Sequence, residues 1–553
     1  MDSNTSLELK KYIKGEVSTD EVVLSKFSHD ASIFEVKPSC VVAPMDQEDI
    51  ENIVKYVNVN KNAHPELSIT ARSAGTDMSG GTLSESIILS LTDHLNKSYL
   101  LDEQSAIVQP GVYYRDFEKQ SLERGLIFPA YPASRELCAF GGMIGNNCGG
   151  EKSLEYGKAE RYVQQLKMVL SDGNSYNFSN ITEDQLNMKM AQNNFEGEVY
   201  KKIFKLITDN YTDIMNAKPK VSKNSAGYAI WNVYNRDAKT FDMTKLFIGS
   251  QGTLGIFTEA TIKLVPIRKY SEMLVVNLAS KDIEKLGEII KIVMSTKPES
   301  FETYDDKTLK LALKFFSEFD KKLGTKNILS TALRFAPEFL MALTNNLPKL
   351  VLLIEFTGDD LTELSNKVDT LKKMLIALNL KCIDAGNETE SKKYWLIRRE
   401  SFRLLKEKIK DKYASPFIDD IVVNPEYLSE FLPKFTSLIA EYPSIISTTA
   451  GHLGDGNFHI IPLVDLRNEE QRKSIAELGA KVYNLVFEYH GTSNGEHNDG
   501  LIRTSYLKNM FGEKIVNMFA EIKKIFDPNN IFNPGKKVDV TLEYSMNHIR
   551  HDW

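Results

Sequence analysis

The chain has 553 residues, 42% hydrophobic and 26% charged, a balance expected of a soluble globular protein with two or more domains. Its 68 basic and 75 acidic residues leave a net charge of −7, which excludes the basic footprint of a nucleic-acid binder or a polybasic membrane anchor. Four scattered cysteines form no Cys-x-x-Cys pair, no apolar run reaches the roughly 18 residues of a transmembrane helix, and the polar start MDSNTSLELKKYIKG lacks a signal-peptide core. The expectation is a cytoplasmic enzyme with reduced thiols, peripheral attachment to a membrane being left open.

After a lead over residues 1–35, PSCVVAP (38–44) predicts a strand, MDQEDIENIVKYVNVNKNA (45–63) a helix and ELSITARSAG (66–75) a second strand, together a βαβ unit. SIILSL (86–91) and SAIVQPG (105–111) add strands, and YRDFEKQSLERG (114–125) a helix. QLKMVLSDGNSYNF (165–178) signals a hairpin, with Asp172-Gly173 supplying the positive φ of its turn. Polar helices fill 182–216, and KLFIGSQGTLGIFTEATIKLVP (245–266) reads as two strands hinged at glycines and closed by Pro266. From about 271 the pattern restarts. Strands are expected at 272–278, 349–356, 419–423 and 459–464, with helices around 281–295, 360–378, 424–441 and 468–489. This predicts an α+β layer, one antiparallel sheet with helices on one face. Helix 512–526 and the following DPNNIFNPGKK have no core of their own and must dock on an earlier lobe.

Three glycine-rich stretches adjoin strand ends: ARSAGTDMSGG (71–81), FGGMIGNNCGG (140–150, opened by PAYPASREL) and GSQGTLGIFTEA (249–260). Successive amides in such a loop can turn inward and bind phosphate without a lysine. The spacing is neither GxGxxG nor a P-loop, so neither a Rossmann nor an NTPase reading is supported. Three such stretches imply a long ligand in close contact with backbone. Further on, AGHLGDGNFH (450–459) sets two histidines around a tight turn, and TSNGEHNDGLIR (492–503) adds Glu496 and His497. A lone histidine is usually a packed side chain. Here His452, His459 and Glu496 make the imidazole and carboxylate set that a borderline metal takes, with positions left open for substrate. In extended backbone the adjacent His497 points away from Glu496, toward a substrate. A substrate carboxylate calls for a guanidinium, and YWLIRRES (394–401) offers Arg398 and Arg399.

The glycine stretches, in this order, resemble the FAD domain of the vanillyl-alcohol-oxidase and p-cresol-methylhydroxylase (PCMH) family. GHLGDGNFH, GEHNDG and FDPNNIFNPGK narrow the resemblance to its D-2-hydroxy-acid dehydrogenase branch, which includes D-lactate, glycolate and D-2-hydroxyglutarate dehydrogenases. The resemblance runs from about 36 to 538. It implies a two-lobed α+β protein: a PCMH-type FAD-binding domain (36–268), a substrate or cap domain with an antiparallel sheet and the metal ligands (269–495), and a C-terminal segment (496–553) returning to the FAD domain.

By the same resemblance, the backbone of Ser73, Ala74, Gly75, Thr76, Asp77 and Met78, with the Ser79-Gly80-Gly81 step, cradles the FAD pyrophosphate. Pro110, Gly111, Ser134, Gly141, Gly142, Asn146 and Asn147 line the flavin, Gly252, Gly255 and Ile256 lie near it, and Asn533 reaches back to it. Covalently flavinylated relatives place a histidine in the first loop; Thr76 follows Gly75 here, so noncovalent FAD is expected. Cys138 and Cys148 map near the flavin, with packing as their expected role. His452, His459 and Glu496 are the implied ligands of a divalent metal, zinc or manganese, and His497 the general base. Arg398, three after Trp395, is the implied substrate arginine, and Arg399 a solvated helix charge. Asp455 and Asn457 shape the turn or support the ligands.

The implied reaction oxidises a D-2-hydroxy acid to the 2-oxo acid. The metal lowers the hydroxyl pKa, a neutral histidine (ordinary pKa about 6.5) takes the proton, and hydride passes to flavin N5. The chain departs from the family at Asn498, where glycine is usual, although Asn tolerates positive φ. Hydroxyglutarate enzymes carry a lysine two residues before the aspartate of DDIVV; counted from Asp420, that position is Ile418. Long relatives add a cysteine-rich iron–sulfur domain not found in these 553 residues. Electrons are therefore expected to pass to a separate acceptor: an electron-transfer flavoprotein, quinone, cytochrome or iron–sulfur protein. No nucleic-acid partner is expected, and a homodimer is left open. The alternatives are a non-redox flavoenzyme similar to alkylglycerone-phosphate synthase, which needs no Glu496 ligand, and a flavin-bearing electron-transfer subunit, which would lack the His/His/Glu set.

Overall fold

A computed structural model describes residues 8–315, 335–344, 346–386, 388–408 and 411–551. The βαβ expectation is met by Cys40–Ala43, helix Gln47–Asn60 and Ile69–Arg72. Asp46 caps the helix by accepting from Asp49 N, and Ile50, Ile53, Val54 and Val57 give it one buried stripe. The two strands are not neighbours. Ile87–Ser90 lies between them, parallel to both and buried along its whole length. The first glycine-rich loop leaves the end of Ile69–Arg72, at the edge of this sheet.

A second, antiparallel sheet of seven strands holds the hairpin Val163–Val169/Ser175–Thr182, whose turn has Gly173 at φ +75°. Ile256–Lys263 runs between Val163–Val169 and Ser105–Val108. The first of the two strands expected over 245–266 is instead the helical turn Thr244–Phe247. Asp242 Oδ1 accepts from Thr244 N (3.0 Å) and so favours helix at that point, while Leu246 and Phe247 bury themselves in the core.

The third large sheet has eight strands, all antiparallel, with Ser300–Asp305 and Ile446–His452 at its centre. Helices cover both faces rather than one. Leu274 and Val276 pack with helices Leu286–Ser295, Leu361–Ala377, Leu428–Ala440 and Glu469–Glu488. The alternate residues Met273 and Val275 pack with Leu309 and Trp395, from helices Asp306–Lys314 and Glu388–Lys408. The stretch Leu507–Phe526 is two helices that meet at Gly512 (φ +76°), the second being the one expected over 512–526. Met518, Phe519, Ile522 and Phe526 join the core of the seven-stranded sheet, and Ile531 and Phe532 pack beside Ile69. Among the described residues no helix is long and apolar enough to cross a membrane.

Candidate active site

The three glycine-rich stretches meet around one cavity with about 640 Å³ of empty space, its mouth included. Ser73, Gly81, Gly141, Gly142, Asn146, Gly252, Gly255 and Ile256 all line it, together with Gly145 and Gln251, which the sequence did not single out. A Cβ on Gly142 or Gly145 would meet no atom within 4 Å, so both glycines keep the wall of helix Phe140–Gly145 bare. Gly141 is different: a Cβ there would come within 1.9 Å of Ser73 Oγ, so the helix rests directly on the first loop.

That loop divides into two parts. Among the described residues, the amides of Ala74, Gly75, Thr76, Asp77 and Met78 donate to no protein acceptor; these five, with Ser79 and Gly80, do not line the cavity themselves but lie between Ser73 and Gly81, which do. The amides of Ser79 and Gly81 are taken by Asp77 Oδ2 (3.0 and 2.7 Å), with Gly80 at φ +81° between them. The Ser79-Gly80-Gly81 step thus braces the loop instead of offering its donors. Pro110, Gly111, Ser134, Asn147 and Asn533 are not among the lining residues. Pro110 O accepts from Ser73 Oγ (2.9 Å) and Gly141 N (2.8 Å), Gly111 packs under Leu91 O, and Ser134 O closes a turn on Leu137 and Cys138. Asn147 bonds Glu160. Asn533, fully buried, accepts from Thr70 Oγ1 (3.0 Å) and donates to Gly81 O (2.8 Å) and Gln251 O (2.7 Å), strapping the cavity from behind.

The histidines converge. Nε2 of His452, His459 and His497 lies 3.4, 3.5 and 3.8 Å from Glu496 Oε1. His452, His459 and Glu496 present their ligand atoms within 4.8 Å of one another, as do Asp419, His459 and His497. Each Nδ1 faces a carboxylate: His452 meets Glu302 Oε1 (2.5 Å), His459 meets Asp419 Oδ1 (3.2 Å) and His497 pairs with Asp419 Oδ2 (2.7 Å). For His452 and His459 the carboxylate on Nδ1 favours the tautomer that leaves Nε2 as a lone pair, the arrangement found around metal-bound imidazoles, whereas His497 Nδ1 is close to Asp419 Oδ2 without the alignment of a hydrogen bond. The turn forms because Gly456 adopts φ +66°, so that Ile446–His452 and Asn457–Val464 pair with Ala450 opposite His459. The backbone at Glu496 and His497 is a bend rather than extended, its two amides both donating to Asp420 Oδ2 (2.8 and 2.7 Å), and His497 Nε2 stays 3.8 Å from Glu496 Oε1.

Burial alone would neutralise these groups, and their neighbours decide the outcome. Burial lowers His459. It opposes charge on His452 and His497 too, but Glu302 raises the first, and Asp420 and Asp419 push the second up to about 9. Burial also works against the Glu496 carboxylate, yet Lys223 and His452 hold it well below the usual range. Lys223 Nζ lies 3.2 Å from Glu496 Oε2, so Oε1 is the oxygen turned to the imidazoles.

Residues 38–179 match the family model "FAD binding domain", and residues 270–537 match "FAD linked oxidases, C-terminal domain". The chain belongs to the FAD-linked oxidases. This FAD-linked oxidase is 27% identical to a D-2-hydroxyglutarate dehydrogenase of Pantoea ananatis over 94% of its own length, and spans about half (50%) of that longer relative. It is also 27% identical to the glycolate oxidase subunit GlcD of Bacillus subtilis, over 92% of the chain and 91% of the subunit. The solved structure of p-cresol methylhydroxylase with substrate bound shares the fold, with a TM-score of 0.67 at 14% identity over 97% of this chain and 96% of that one.

The two arginines of the FAD-linked oxidase part company. Arg398 Nε donates to Glu302 Oε2 (3.0 Å), one carboxylate away from His452. Arg399 is exposed (37%), as a solvated charge would be, but it also forms a two-point pair with Glu151 (2.8 and 2.6 Å) and stacks over Trp395, tying helix Glu388–Lys408 to the residue that follows the second glycine stretch. Asn498 does adopt positive φ (+71°), and its Nδ2 donates to Gly249 O (2.8 Å) and Asn146 O (3.3 Å), bonds a glycine could not make. Asp455 faces Lys223 (3.5 Å) and Asn457 donates to Asp420 Oδ1 (3.0 Å), both in support of the ligand loop. Ile418 is buried in the apolar core and supplies no cation. Cys138 and Cys148 are buried, burial pushing the Cys138 thiol up to about 12 and Cys148 higher still, which suits packing. The sequence reading missed Glu302, Lys223 and the orienting role of Asp419. Only Asp419 stood in a stretch already under scrutiny.

Proposed function

We propose that the protein oxidises a D-2-hydroxy acid to the 2-oxo acid, with noncovalent FAD in the glycine-lined cavity and a divalent metal on His452, His459 and Glu496. The observation that carries this reading is the convergence of three imidazoles on Glu496 Oε1. The cluster is tied to the cavity through Asn498, two residues after Glu496, whose Nδ2 donates to the carbonyl of cavity-lining Asn146 (3.3 Å). The residues suit both groups. Among the described residues the unpaired amides from Ala74 to Met78 fit a diphosphate, and two imidazoles with one carboxylate fit zinc or manganese.

When bound, FAD supplies the two-electron acceptor and the metal a Lewis acid that acidifies the substrate hydroxyl. The remaining work falls to side chains. Arg398 beside Glu302 offers a guanidinium for the substrate carboxylate. His497, the most exposed of the three imidazoles at 21%, takes the hydroxyl proton at Nε2, and Asp419 steadies the imidazolium that results. The electrons then pass on to a further redox acceptor. The names of the relatives, a D-2-hydroxyglutarate dehydrogenase and a glycolate oxidase subunit, support the substrate class.

The test is anaerobic bleaching of the yellow protein against a panel of D- and L-2-hydroxy acids. Selective bleaching by a D-acid is expected. A flavin that no 2-hydroxy acid reduces would refute the proposal.

A further inference from the structure

Gln251 has no part in the chemistry above, yet it touches every stretch that builds the site. It sits at φ +53° and is 8% exposed. Its Nε2 donates to Ser79 Oγ (3.1 Å) and Asn146 Oδ1 (3.3 Å), in the first and second glycine stretches. Its Oε1 accepts from Gly500 N (2.9 Å), three residues beyond His497. On the cavity side the network runs on into Asp77, which accepts from Asn146 Nδ2 (2.8 Å) and from the hydroxyl and amide of Ser79.

On the other side, Gly500 has no room to slide. A Cβ there would lie 2.3 Å from Ser79 O, and Leu501 N donates to that same carbonyl (2.8 Å). The turn that follows ends at fully buried Arg503, which donates to Asn498 O (2.9 Å) and to Asp419 O (2.8 Å). The Gln251 amide thus bridges the cofactor loop and the segment after His497 by side-chain bonds to both, alongside the direct bonds from Leu501 N to Ser79 O (2.8 Å) and from Asn498 Nδ2 to Asn146 O (3.3 Å).

We propose that Gln251 is a positioning residue through which occupancy of the flavin cavity and occupancy of the metal site strengthen each other. This rests on the FAD- and metal-dependent reading above. A diphosphate on the Ala74–Met78 amides and a flavin against Asn146 would fix both acceptors of Nε2, so that Oε1 holds Gly500 N and orders the ligand loop. A cation on Glu496 orders the same loop from its other end. Linkage makes the effect reciprocal, so the factor by which metal tightens FAD equals the factor by which FAD tightens metal.

The experiment uses the holoprotein, measuring FAD dissociation from the flavin fluorescence released on dilution, in excess Zn²⁺ or in EDTA, with bound zinc counted by elemental analysis. The wild type is expected to hold FAD about tenfold more tightly with Zn²⁺, a usual size for such coupling. Gln251→Met keeps the volume but none of the three bonds, and should bind zinc while its ratio falls to within about twofold. Ser79→Ala, which removes one acceptor of Nε2, should at least halve the factor and serves if Gln251→Met does not fold. A wild-type ratio of one with zinc bound overturns the coupling, and an undiminished ratio in Gln251→Met overturns the role of Gln251. A wild type that binds no zinc defeats the metal reading itself, and elemental analysis separates that result from the other two.

Discussion

Replacing Glu302 with glutamine asks whether the His452 ring is held in place for a metal. The carboxylate stands between two donors, with His452 Nδ1 on Oε1 (2.5 Å) and Arg398 Nε on Oε2 (3.0 Å). It is 1% exposed, so water does not compensate for a lost partner. A glutamine amide has one oxygen. If that oxygen stays on His452, the NH₂ confronts the N–H of Arg398; if it turns to Arg398, His452 loses its orienting acceptor. A hydrogen bond to a charged group contributes about 1.5–3 kcal/mol against roughly 0.5–1.5 for a neutral one, so even the first arrangement loses about 1 kcal/mol at the histidine. With the donor–donor conflict added, the expected fall in metal affinity is about 10- to 100-fold, the usual range for a residue supporting a metal-bound imidazole. The assay is zinc competition with a chromophoric chelator, run beside the flavin absorbance of the same sample. Zinc affinity within about threefold of wild type would refute the role of Glu302, as would parallel loss of FAD, which would signal general damage.

His497→Ala should keep both FAD and zinc and slow anaerobic flavin reduction by about 10²–10⁴-fold, the scale of a missing general base; loss of zinc would make His497 a ligand instead. Asp420 and Asp419 push His497 up to about 9 in the metal-free protein; in the loaded enzyme the wild-type reduction rate should climb with pH as that ring loses its proton, and the variant should lack the limb. The same shift bears on stability in EDTA. A histidine raised from 6.5 to about 9 stabilises the fold fully below pH 6.5, and that contribution, on the order of 3 kcal/mol, is lost as pH rises through 9. Urea midpoints of the metal-free protein should therefore fall between pH 6.5 and 9.5 more steeply than those of His497→Ala, and equal slopes would contradict the assignment. Arg399→Ala removes the two-point pair with Glu151 and should cost about 1–2 kcal/mol in thermal unfolding without changing zinc content; an unchanged melting temperature would return Arg399 to a solvated charge.

The parts legible in the sequence share one property: their residues are near one another in the chain. The hairpin at Gly173, the helix capped by Asp46 and the turn at Gly456 each follow from a local signal. Ser300–Asp305 was missed because Glu302, Thr303 and Asp305 look like solvent-facing positions, whereas all six residues of the strand are buried. Glu302 is inside because His452 and Arg398, about 150 and 96 residues further on, meet it there. No local pattern carries such a pairing. The same holds for Lys223, placed by Glu496 at a separation of 273 residues, and for helices on the far face of the third sheet, whose strands read as one-sided. The bend at Glu496 and His497 was misjudged for a similar reason: its geometry comes from Asp420, and the sequence around 496 has no means of announcing it.

The strap formed by Asn533 has a consequence for the order in which the protein is made. Its bond to Thr70 joins positions 463 residues apart, and its amide also holds Gly81 O and Gln251 O. The first lobe is translated early, but its back wall and part of its core arrive only with residues 507–533. Until those residues have been made the nascent lobe lacks this wall, with apolar surface uncovered and the flavin cradle unbraced. Cofactor loading is thereby deferred until the chain has grown past residue 533. A shortened chain ending just before Asn533 should behave as a protein that cannot retain its flavin, though every residue lining the cavity would still be present.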